Sequence, residues 1–92
     1  MYVVITNQTI AVGTVAIKLP TIPLVGRDYI FLTNLDTANL LYVGNVNIAV
    51  TGSNRGTLVQ PYGSYYGEWT DKVDIYGITS INTIAIAVEE GK

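Results

Sequence analysis

The chain has 92 residues, 49% of them hydrophobic and only 13% charged, with a formal net charge of −2. It holds no cysteine and no histidine, which excludes disulfide staples and thiolate metal sites and removes the commonest general base and zinc ligand. Its five basic residues (Lys18, Arg27, Arg55, Lys72 and Lys92) are scattered, so the concentrated basic patch of a nucleic-acid-binding protein is missing.

Helix periodicity is nearly absent, while β-branched and aromatic runs are broken by turn signals about every eight to twelve residues. The first run, 2–6, meets a plausible turn at Asn7-Gln8. The run 9–19 changes phase: Ile10 and Val12 share one parity, and Val15, Ile17 and Leu19 the other. Gly13-Thr14 is where a bulge or tight bend is expected to absorb that switch. Pro20 and Pro23 lack amide donors, so the segment they bound is expected as an extended connection at an edge. Residues 29–33 and 40–43, joined by the polar link 34–39, read as a β-hairpin, the first of them apolar enough to be covered on both faces.

After a turn at Gly44-Asn45, Val46, Ile48 and Val50 alternate with polar or small residues and predict a further strand. Residues 51–56 are the clearest turn. A short strand over 57–60 stops at Pro61, and strands over 65–69 and 73–78 flank a turn at 70–72. Residues 79–82 turn the chain into a last strand over 84–89, leaving Glu90-Gly91-Lys92 as a polar tail. About eight short antiparallel strands in a single domain over residues 1–92 predict an all-β sandwich of jelly-roll type, with a flattened barrel as the alternative. A core in a chain this long removes roughly two-thirds of the unfolded surface at best.

No apolar stretch approaches the roughly twenty residues of a membrane-spanning helix. The first three residues lack the basic start of a secretory signal, so Asn7-Gln8-Thr9 reads as a chance match to the glycosylation sequon. With so few charges, two readings compete: an exterior of Thr, Asn, Gly and Ser, or, the favoured one, apolar surface partly covered by another subunit.

Residues carrying chemistry are sparse. Tyr62, Tyr65, Tyr66 and Trp69 form the densest aromatic group, with three readings: core and edge cover, a protein interface, or a stacking platform for a sugar. Tyr65 and Tyr66 must face opposite sides of a strand. Glu68, Asp71 and Asp74 lack the Gly-punctuated spacing of a calcium loop and read as a solvated strand end. The same carboxyls lack the cleft that glycoside hydrolysis needs. Residues 51–56 contain two glycines but precede no helix and no Lys-Ser/Thr, so no phosphate loop is indicated. Arg27 is read as an ordinary exposed arginine, as a local ion pair with Asp28, or as a fork of donors at a subunit boundary. No catalytic, cofactor-binding or metal-binding residue is expected, and no enzyme.

From residue 24 onward the order of signals resembles a family. Gly26-Arg27 opens an apolar strand ending at Asn34; a second strand closes in Tyr42-Val43-Gly44; Gly56 marks a turn, and Leu58 to Pro61 a step. An aromatic strand over 65–69, an Asp71-Lys72-apolar strand with Tyr76, and a terminal run to Glu89 follow. This order is similar to that of small virion proteins of tailed bacteriophages, of the capsid decoration, head-fibre or auxiliary capsid type. It spans about two-thirds of the chain and departs from the family at Pro61-Tyr62, where the family more often has Pro-Gly. The resemblance implies a structural β-sandwich, a homo-oligomer (a trimer above other states) that binds the major capsid protein on the capsid exterior after synthesis in the host cytoplasm. It implies no enzyme activity, no nucleic acid and no membrane. The alternative is a carbohydrate-binding or host-attachment module using the aromatic strand 62–69.

Overall fold

A computed structural model of the chain describes residues 3–92. Eight strands form in order: β1 (Ile5–Val12), β2 (Ile17–Lys18), β3 (Tyr29–Asn34), β4 (Leu41–Gly44), β5 (Thr57–Val59), β6 (Ser64–Gly67), β7 (Tyr76–Ile78) and β8 (Ile84–Gly91). They make two four-stranded sheets, a long one ordered β1-β8-β3-β6 and a short one ordered β2-β7-β4-β5. Every strand ladder is antiparallel.

The pairing is nested: β1 pairs with β8, β2 with β7, β3 with β6 and β4 with β5. The chain therefore behaves as one long two-stranded ribbon folded over on itself, with β3–β8 and β4–β7 contacts closing the wrap. This is the jelly roll the sequence predicts. Between the sheets lies an apolar core whose central members, Val12, Ile30, Leu32, Leu41 and Ile86, are fully buried. Burying each such side chain contributes about 1.5–3 kcal/mol. Alternation places them: Ile84, Ile86 and Val88 point inward from β8 while Ala85, Ala87 and Glu89 point out.

Several local expectations change in the structure. Tyr2, the start of the first expected run, lies outside the described residues. Asn7-Gln8 is no turn; both residues sit inside β1, opposite Glu89 and Val88. Gly13-Thr14 does bend the chain, and the parity switch follows from a change of sheet, since Val12 faces the core from the long sheet and Ile17 packs on it from the short one.

The hairpin over 29–43 does not form: β3 and β4 belong to different sheets, and the link between them crosses from one to the other. Asn34 directs that crossing. It is fully buried, its Nδ2 donates to the carbonyls of Asn39 and Val59, and its Oδ1 accepts from the Asp36 amide. Asp36 in turn accepts from the amides of Ala38 and Asn39, so two successive side-chain turns carry the chain over the edge.

Residues 46–50 alternate like a strand but coil as a loop. The Asn45 carbonyl accepts from Ile48 and its side chain accepts from Asn47, while Ile48 tucks against Gly44, where an added Cβ would stand 2.1 Å from Ile48 Cγ2. Nor is Glu90-Gly91-Lys92 a polar tail: β8 runs through Gly91, and Glu90 is 1% exposed.

Candidate functional site

Because strands alternate in direction, the loops fall into two sets. Loops 13–16, 35–40, 60–63 and 79–83 gather at one end, here called the upper end; loops 19–28, 45–56 and 68–75 gather at the other. The two ends differ sharply in charge. Of five basic and seven acidic side chains, Asp36 alone lies in the upper loops. The rest occupy the lower loops or the strand halves leading into them.

Each upper loop exposes one large apolar side chain: Val15 (79% exposed), Leu35 (41%), Tyr62 (67%) and Ile81 (57%); the lower loops expose Ile22, Val25, Val46, Trp69 and Val73 as well, so the ends differ in charge and not in exposed apolar surface. Singly exposed apolar residues are ordinary, but four at one end with a single charge mark a surface suited to contact. The loops are fixed in pairs. The Tyr62 amide donates to Asn34 O at 2.9 Å and the Asn34 amide to Gly63 O at 2.9 Å, which ties 60–63 to 35–40. The Thr79 amide donates to Gly13 O at 2.9 Å, tying 79–83 to 13–16, and the Thr79 hydroxyl reaches the carbonyls of Ile81 and Asn82. A prearranged apolar surface loses little entropy on binding.

The two non-glycine residues with positive φ among the described residues, Tyr62 (60°) and Asn82 (64°), both sit in these loops. Asparagine tolerates that conformation, but for a tyrosine it costs about 1–2 kcal/mol. Tyr62 gains no burial in exchange, being mostly exposed.

Behind the lower end lies the main polar feature of the interior. Arg27 and Glu90 form an ion pair at 2.9 Å, with side chains 1% and 2% exposed. Arg27 Nε donates to Trp69 O, and Nη2 donates to the carbonyls of Thr70 and Val73. Glu90 also accepts from the Leu24 amide. One side chain thus staples loop 68–75 to β8 and to loop 19–28. Arg27 is spent inside the fold and offers no contact to a neighbouring subunit.

The four aromatic residues do not share a platform. Tyr62 stands at the upper end. Tyr65 points inward and packs on the core, and its hydroxyl accepts from Trp69 Nε1 at 2.9 Å. Tyr66 points outward and stacks on Tyr29, ring centroids 5.8 Å apart. Trp69 folds over Gly67 at the lower end, where an added Cβ would stand 2.3 Å from its ring. Asp74 of the acidic group meets Lys18 at 3.8 Å, and no cluster of three or more potential metal ligands occurs among the described residues.

Sequence reasoning missed the upper end because it is assembled from four distant loops. It missed Glu90 although a signal was present: Glu90 continues the even-numbered, inward parity of Ile84, Ile86 and Val88. Comparison with protein-family models, curated proteins and solved structures gave no match.

Proposed function

We propose that the chain is a non-enzymatic structural virion protein of a tailed phage that decorates or stabilises the outer capsid surface as a homo-oligomer, with three copies as the expected state. The observation that carries this reading is the uncharged upper end, with Val15, Leu35, Tyr62 and Ile81 exposed on loops tied to one another. An interface core is depleted of charge, and this end has that property, with Tyr62 as its one exposed aromatic side chain. The family resemblance supplies the capsid as partner. A protein that binds only the assembled shell stabilises it by mass action.

The short sheet supplies a second contact surface for the oligomer. Leu58, Tyr42 and Ile78 form one row across β5, β4 and β7 on its outer side, away from the core. The alternative, a carbohydrate site along 62–69, loses support because Tyr62 and Trp69 stand at opposite ends of the sandwich.

Sedimentation velocity of the pure protein, followed by co-sedimentation with empty capsids assembled from the major capsid protein of the phage that carries it, tests the reading. A homo-oligomer that binds capsids saturably is expected; a monomer that stays in the supernatant overturns it.

A further inference from the structure

The outer face of the long sheet holds a feature that capsid docking does not use. Register aligns Asn7, Glu89 and Phe31 in one row across β1, β8 and β3, and Thr9, Ala87 and Thr33 in the next. Ala87 is the short member, so the taller side chains of β1 and β3 stand as two walls above it. The resulting trough measures about 300 Å3, the lower end of the range for small-molecule sites. Strands lie about 4.8 Å apart, so the backbones of β1 and β3 run roughly 10 Å apart across β8.

The groups facing this space are chemically specific. Asn7, Thr9 and Thr33 both donate and accept hydrogen bonds. The Glu89 carboxyl accepts from the Tyr29 hydroxyl at 2.7 Å through Oε2, which fixes its position, and its Oε1 takes no hydrogen bond among the described residues. Phe31 is braced by Tyr66, ring centroids 6.5 Å apart, and offers an apolar surface. No lysine or arginine lines the trough, and the one ionisable group there is acidic. Anionic ligands are therefore disfavoured.

We infer that this trough binds a neutral saccharide, its hydroxyls bonded to Asn7, Thr9, Thr33 and Glu89 and a C–H face resting on Phe31. A sugar ring carries both kinds of surface, which this mixture of polar walls and one aromatic side matches. The site lies on a sheet face and capsid docking at the loop end, so failure of either leaves the other standing.

The test is an amide-resolved NMR titration of the full chain with maltose, cellobiose, lactose and diacetylchitobiose, with sialyllactose as the charged comparison. Saturable shifts at Asn7, Thr9 and Ala87 with at least one neutral sugar are expected. Ala87→Leu, which fills the floor from outside the core, should weaken that binding at least about tenfold. Asn7→Ala, at an exposed site, gives a second reading should the leucine variant fail to fold. No shift at these amides with any neutral sugar, undiminished binding by the variants, or tighter binding of sialyllactose overturns the assignment.

Discussion

Replacing Glu90 by glutamine removes a charge from the interior and changes little else. The amide oxygen still accepts from Arg27 Nη1 and from the Leu24 amide, and the shape is kept. What is lost is the counter-charge for a guanidinium that is 1% exposed. An uncompensated buried charge costs about 3–5 kcal/mol, and the retained hydrogen bonds place this substitution near the lower figure. A 92-residue domain is stable by about 5–14 kcal/mol, so Glu90→Gln takes a large share of it. In a domain of this size each kilocalorie shifts the melting temperature by about 4–8 °C, so a fall of about 12–24 °C is expected. Arg27→Met should cost at least as much, because the carbonyls of Trp69, Thr70 and Val73 then lose their donor. The double variant should lose less than the sum, since the two groups share one network. Urea unfolding of all four proteins measures these quantities. A Glu90→Gln variant within 1 kcal/mol of wild type, at equal m-value, would refute the staple as a principal source of stability.

Other outcomes follow from single residues. Tyr62→Gly should raise stability by about 0.5–1 kcal/mol, because relief at positive φ exceeds the entropy glycine adds to the unfolded chain, while capsid binding falls; calorimetry and co-sedimentation on one preparation read both. Gly91→Ala should destabilise by about 1–3 kcal/mol in thermal melts, since the new Cβ would stand 2.2 Å from Tyr29 Cε1 and drive that ring off Glu89. Asp36 should titrate below 3.8 by NMR, as the amides of Asn39 and Ala38 donate to its carboxyl. A depressed value means that its stabilisation is present above the ordinary carboxyl range and is lost as pH falls through the folded value. Relative to Asp36→Asn, wild type should lose stability on acidification.

Much of the architecture was legible because alternation is a local signal. The phase switch at Gly13, the prolines at 20 and 23 and the inward row Ile84, Ile86, Val88 sufficed for strands, a bend and a sandwich. Partner choice was not legible. The segments 29–33 and 40–43 look like a hairpin until Asn34, buried and bonded to Val59 across the fold, turns the chain into the other sheet. Val46, Ile48 and Val50 alternate as a strand would, but Asn45 caps a turn there and Ile48 fits over Gly44. Arg27 and Glu90 lie 63 residues apart in sequence, and neither residue alone signals the other. The upper end combines both difficulties: each apolar residue was visible, but their gathering depends on a nested pairing set by long-range contacts.

Placing one charge in the upper end tests most directly whether it is the docking surface. Ile81 is exposed and distant from both the core and the Arg27–Glu90 pair, so Ile81→Glu should melt close to wild type. Its co-sedimentation with empty capsids, compared with wild type and with Lys72→Glu at the lower end, separates the two ends. The expected result is loss of capsid binding by Ile81→Glu alone. Unchanged binding by Ile81→Glu, or loss confined to Lys72→Glu, contradicts docking through the upper end.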